Sequence, residues 1–144
     1  MKSLRALLVL SAVSGLLLSF SWPESGIAYL IFIAFVPLFF IQSILEDLGG
    51  KRGNLLLFLF SYFSFLVFNL LTTWWVKYAS FFGAVAAITL NAAFMATVFL
   101  LFHVVKKRLG YLPGMIALVS FWISFEHLHM DWDLSWPWLT LGNV

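Results

Sequence analysis

Long apolar runs separated by short polar breaks organise this chain. Leu4 to Phe20, Ile27 to Leu45, Leu55 to Val76, Phe81 to Val105 and about Met115 to Met130 carry almost no charge. Crossing roughly 30 Å of hydrocarbon takes about 20 helical residues, within a range near 17–25. Five runs therefore reach or approach spanning length. The breaks are sharp. Ser21 to Gly26 is a tight polar turn, Glu46 to Asn54 a glycine-rich charged loop and Lys77 to Ser80 a short turn. Lys106 to Pro113 is a basic loop ending in a helix-start proline. Pro37 falls inside the second run, where it predicts a kink. The runs are unbroken rather than alternating, so helices are expected and strands of a barrel are not.

Composition makes lipid the solvent. The sequence is 63% hydrophobic and 10% charged, with a mean hydropathy of +1.03. Soluble domains are about 45–50% apolar and about 25% charged. The expected fold class is an all-α polytopic membrane helical bundle of about five transmembrane helices. There is no cysteine, which excludes a disulfide framework, a thiolate nucleophile and a cysteine metal site within these residues. The pI of about 9.1 does not indicate nucleic acid, because the excess is only eight Lys and Arg over six acids and the basic residues sit at span ends.

Those basic residues set an orientation. Lys2 and Arg5 precede the first run, Lys51 and Arg52 follow the second, and Lys106, Lys107 and Arg108 follow the fourth. With the N-terminus cytoplasmic, only Lys77 of the eight lies outside, as the positive-inside rule requires. Five spans then put Asp131 to Val144 on the outer face. The first run has the basic start and apolar centre of a signal peptide. The positions before Trp22 lack a clear A-x-A site, however, and four more runs follow, so it is read as a retained span.

Tryptophan adds a second asymmetry. Trp22, Trp74, Trp75, Trp132, Trp136 and Trp138 map to the outer interface, and Trp122 alone lies inside a span. An ordinary aromatic belt occupies both interfaces. A one-sided one also fits an outer surface that contacts lipid or lipopeptide.

Among residues that could carry chemistry, Glu126 stands out, because an ionisable group about one turn inside the interface is costly. His129, three residues on, shares its face. A Glu126–His129 hydrogen bond, a role in positioning substrate or an adjoining domain, and a proton relay all fit. Glu126, His127, His129, Asp131 and Asp133 resemble a metal cluster only in composition. His127 and His129 point to different sides of a helix, and zinc needs convergent ligands, so no metal and no cofactor are expected. Asn69 and Asn91 lie at mid-membrane depth, where a bond between helices is the ordinary role. Lys77 beside Trp74 and Trp75 fits a snorkelling interfacial lysine. Asp131 to Asn143, with Pro137 between Trp136 and Trp138, reads as a rigid aromatic wedge for acyl chains and headgroups, or for further membrane helices. No Walker loop, nucleotide fingerprint, G-x-S-x-G elbow or H-E-x-x-H occurs, and no self-contained active site is visible.

Four landmarks resemble, in order, the N-terminal membrane region of bacterial apolipoprotein N-acyltransferases. Leu18-Ser19-Phe20-Ser21-Trp22-Pro23 resembles the L-x-F-P/S stretch after the first span. Ala34-Phe35-Val36-Pro37-Leu38 resembles the second-span F/L-x-P-L stretch. Asn69 to Trp75 sits where that family has an aromatic-rich third span ending near a tryptophan. Phe125-Glu126-His127-Leu128, then Trp136-Pro137-Trp138-Leu139 and Gly142, resembles E-x-L-R … G-F-P-W-L-x-x-G, the most specific of the four. Two positions depart: His129 stands where the family has arginine, and Ser135-Trp136 where it has Gly-Phe.

The resemblance implies a bacterial inner-membrane enzyme with further spans and a periplasmic nitrilase-like domain. A Glu-Lys-Cys triad there takes an acyl chain from a phospholipid as a thioester. It then passes the chain to the α-amine of a diacylglyceryl-modified lipoprotein. These 144 residues are then its N-terminal membrane domain, a truncated product or the front of a split or incomplete protein, inactive alone. Glu126, His129, Trp136, Pro137 and Trp138 become candidates for the substrate portal. The implied partners are the phospholipid donor, the lipoprotein and membrane lipids, with no nucleic acid. Two alternatives stay open: a noncatalytic small membrane scaffold or lipid binder, and an unrelated transporter subunit, for which Pro37 is the one hint.

Overall fold

The computed structural model describes residues 4–22, 26–48, 50–130 and 139–144. Every regular element among them is helical: α1 (Leu4–Ser21), α2 (Ile31–Ala34), α3 (Val36–Glu46), α4 (Gly50–Thr73), α5 (Phe81–Leu109) and α6 (Tyr111–Met130), with 3₁₀ turns at Ala28–Leu30, Trp74–Tyr78 and Leu141–Asn143. Four helical stretches are long and apolar enough to cross a membrane: Leu4–Ser21, Ala28–Glu46, Gly50–Tyr78 and Phe81–Leu109. The expected fifth, α6, has the length at 20 residues, but Glu126, His127 and His129 in its last two turns lower its hydropathy.

Two boundaries differ from the sequence expectation, for one reason. Lys51 and Arg52 lie inside α4, which begins at Gly50, and Lys106, Lys107 and Arg108 lie inside α5, which runs on to Leu109. Charges end the apolar run without ending the helix. Long Lys and Arg stems let a charge reach water or a headgroup from a helical position, and cations in the last turn of α5 suit the negative end of its dipole.

The second span breaks at Phe35, between α2 and α3, with Pro37 in the first turn of α3. Pro37 has no N–H to give, so the preceding turn cannot close regularly. The break is supported from α1, where the Ser14 hydroxyl donates to the Ala34 carbonyl at 2.6 Å.

α4 packs against α1, α3 and α5, and α5 packs against α4 and α6. The α1–α4 seam is made of small residues. Ser11, Gly15 and Ser19 fall at four-residue intervals on α1 and are buried. A Cβ on Gly15 would lie 2.5 Å from the Ser64 carbonyl oxygen and 2.8 Å from the Val67 Cβ. Two helices come this close in lipid only where one lacks a side chain. The α5–α6 turn is as tight. Gly110, at φ +97, is the one residue between them, and a Cβ on Gly114 would meet the Lys106 Cβ at 2.6 Å.

The core between the seams is aromatic. Trp122 of α6 meets Phe35 edge to face at 5.2 Å and Phe65 at 5.7 Å. Phe39 contacts Phe99 and Phe102. Trp122 thus joins α6 to the break in the second span and to the middle of α4.

Candidate functional site

Glu126 is half-buried near the end of α6. One of its oxygens, Oε1, accepts two hydrogen bonds: from the Trp122 indole N–H at 2.9 Å, and from the Leu141 backbone N–H at 2.7 Å. Trp122 precedes it by one turn, so the helix itself supplies that donor. Leu141 opens the 3₁₀ turn Leu141–Asn143, and the first N–H groups of such a turn have no partner within it. The carboxylate fills that role from another element, and the negative charge suits the positive end of the turn. Neither donor titrates in any ordinary range. The arrangement is therefore a clamp that fixes Leu139–Val144 against α6. Leu139 and Thr140 are buried beside it.

His129 is buried on the same side of α6, its ring 5.0 Å from that of Phe125 and 6.0 Å from that of Phe94 on α5. His127 is exposed, as the different facing of the two histidines predicts. Of the remaining portal candidates, Trp136, Pro137 and Trp138 lie outside the described residues, as do Asp131, Trp132 and Asp133.

The aromatic residues expected at the outer interface fall at one end of the bundle where the structure describes them. Trp22, just past α1, meets Phe68 edge to face at 5.5 Å, one turn before α4 ends. Trp74 and Trp75 follow in the next 3₁₀ turn, both exposed. Lys77 lies 5.0 Å above the Trp74 ring and 5.2 Å above that of Tyr78, a cation–π pairing that orients its ammonium along the same surface.

Deeper in the bundle, Asn91 Nδ2 donates to Asn69 Oδ1 at 2.7 Å, the bond between helices expected from their depth. Asn69 spends its own amide on the Phe65 carbonyl at 2.8 Å.

A second polar site, at the opposite end from Trp22 and Glu126, was not foreseen. Lys106 Nζ donates to Gln42 Oε1 at 3.0 Å and to Glu46 Oε2 at 2.5 Å. Gln42 Nε2 reaches Glu46 Oε2 at 2.9 Å and His103 Nδ1 at 3.1 Å. Gln42 and His103 are both 2% exposed, so the bond between them ties α3 to α5 in a dry setting, while the Lys106–Glu46 pair beside it is partly exposed. The available signal was the pair Gln42 and Glu46, one turn apart in an otherwise apolar run.

A family model described as the apolipoprotein N-acyltransferase N-terminal domain matches residues 14–144. An apolipoprotein N-acyltransferase of Chlorobaculum tepidum is 34% identical over 137 residues, which make up 93% of this chain and 25% of that protein. The chain thus spans about a quarter of the length of the curated relative it matches. No solved structure matches it.

Proposed function

The chain belongs to the apolipoprotein N-acyltransferase N-terminal domain family, and from that premise we propose that it forms the membrane part of an enzyme that N-acylates the lipidated N-terminal cysteine of bacterial lipoproteins with a phospholipid acyl donor. Its membership, with four helices long and apolar enough to cross a membrane, makes it a multi-pass bacterial membrane protein. In this reading α6 (Tyr111–Met130) crosses as a fifth span, and the chain lies in the inner membrane with residues 126–144 facing the periplasm. It supplies anchoring and a lipid portal, and these residues alone do not catalyse transfer. With no cysteine among the 144 residues, a thiolate nucleophile comes from outside them.

The observation that carries the reading is the Glu126 clamp. Glu126 belongs to the Phe125-Glu126-His127-Leu128 motif, and Leu139 closes Trp136-Pro137-Trp138-Leu139. The bond from Leu141 to Glu126 brings the turn that follows the second motif to the first. A portal for acyl chains needs rigid apolar faces at a fixed height in the membrane, and indoles beside a proline supply them. His129, buried beside the clamp, helps to set that height by holding α6 against α5.

The test uses the protein as it occurs in its own host, purified through a tag on its native gene. It is given phosphatidylethanolamine and a diacylglyceryl-modified lipopeptide, and the lipopeptide mass is followed. The expected result is a mass increase of one acyl chain. A Trp138→Ala protein should transfer on the order of tenfold more slowly, a loss typical of a misplaced substrate. A well-inserted native protein that leaves the lipopeptide unchanged would favour the noncatalytic scaffold.

A further inference from the structure

The end of the bundle where α4 starts and α5 finishes contains a cavity of about 410 Å³, lined by Gly50, Asn54, His103, Val104, Lys107 and Arg108. We propose that it is a binding site for the phosphate of an anionic phospholipid headgroup in the leaflet on that side. The proposal rests on the orientation above only in calling that leaflet cytoplasmic.

The buried network behind the cavity determines what His103 offers it. An ammonium group has donors and no acceptor. The atom of Gln42 that takes the bond from Lys106 is therefore the amide oxygen, and the atom facing His103 is the NH₂. Nδ1 of His103 must then accept, which puts the ring proton of the neutral imidazole on Nε2. The ring is thus set with a donor left for the cavity that it lines.

The other lining groups agree in sign. Lys107 and Arg108 bring two cations, and the Asn54 side chain can donate. α4 begins here, so its positive dipole end and unpaired N–H groups lie at the same place. The nearby acid, Glu46, is held by Lys106 and Gln42 and does not oppose an anion. One face therefore gathers two cations, a fixed imidazole donor, an amide and a helix start. Their common complement is a phosphate diester with its glycerol beside it. Basic pockets between transmembrane helices take anionic headgroups by this chemistry.

The test is native mass spectrometry of the full chain in zwitterionic micelles containing phosphatidylglycerol or phosphatidylcholine. The chain should retain one phosphatidylglycerol in preference to phosphatidylcholine. Lys107→Gln with Arg108→Gln should weaken that retention about tenfold or more, because each cation near the surface contributes roughly a fivefold factor. Asn54→Asp, close in shape but anionic, should weaken it similarly. Lys51→Gln with Arg52→Gln, an equal loss of charge outside the cavity lining, should weaken retention clearly less than the Lys107/Arg108 pair, because it removes surface attraction but no lining group. Equal losses in the two double variants would show diffuse surface attraction and overturn the site. Displacement by inorganic phosphate at matching concentration would make it a free-phosphate site and overturn the lipid assignment. Lipid selectivity in micelles does not depend on sidedness, so an inverted topology would leave these results intact and move only the leaflet.

Discussion

Gly15→Ala will destabilise the bundle, and Gly15→Leu will destabilise it more. Replacing glycine by alanine inside an unobstructed helix stabilises it by about 1 kcal/mol. Here the added Cβ would lie 2.5 Å from the Ser64 carbonyl oxygen and 2.8 Å from the Val67 Cβ. The obstacles are backbone and a β-branched side chain, which cannot swing aside. α1 and α4 must separate, and overpacking of this kind costs about 1–3 kcal/mol. Separation also weakens the contacts around Ser11 and Ser19, which are buried at four-residue intervals on either side of Gly15. The cost outweighs the helical gain, so unfolding in mixed micelles, followed by the loss of helical signal as denaturing detergent rises, should shift to lower denaturant. A shift the other way, by the amount an isolated helix would gain, would mean that the seam is looser than described.

The second large effect is at Glu126. Its Oε1 holds the Trp122 indole and the Leu141 amide, and a hydrogen bond to a charged group contributes about 1.5–3 kcal/mol. Glu126→Ala removes the acceptor and frees the turn at Leu141–Asn143. The Leu141 amide should then exchange with deuterium on the order of 10 to 100 times faster, while amides in the middle of α4 keep their protection. Glu126→Gln retains a neutral oxygen acceptor and should accelerate exchange less than the alanine variant. If the proposed function holds, the same two variants should rank identically in acyl transfer by the protein purified from its host. Unchanged exchange at Leu141 in Glu126→Ala would remove the clamp from the account.

Hydropathy alone made the helical class readable, because an unbroken apolar run admits no other fold in lipid. The break near Pro37 was readable too, since a missing N–H has the same consequence wherever it occurs. Helix ends were less so. Lys51, Arg52 and Lys106 to Arg108 look like loop residues, but they are good helix formers whose charges reach water from inside a helix. Glu126 announced itself by the expense of its burial, whereas its partner did not. The bond to Leu141 crosses fifteen residues and uses a backbone N–H, so no side-chain pattern encodes it. The Gln42–Glu46–His103–Lys106 network was half-visible: its i, i+4 pair lies on one run, but its completion needs the pairing of α3 with α5. The wedge at Trp136, Pro137 and Trp138 was legible as a motif and lies outside the described residues.

The central claim is that the Lys- and Arg-rich ends of the helices face the cytoplasm and the Glu126 clamp faces the other side. No cysteine lies among these 144 residues, so expressed as such they are a clean background for single-cysteine labelling. Asp47→Cys lies between α3 and α4, Ser80→Cys between α4 and α5, and Asn143→Cys in the terminal turn. A membrane-impermeant maleimide added to intact spheroplasts should label the Ser80 and Asn143 positions at once, and the Asp47 position only after lysis. Labelling of Asp47→Cys in intact spheroplasts, with Asn143→Cys protected until lysis, would contradict the account.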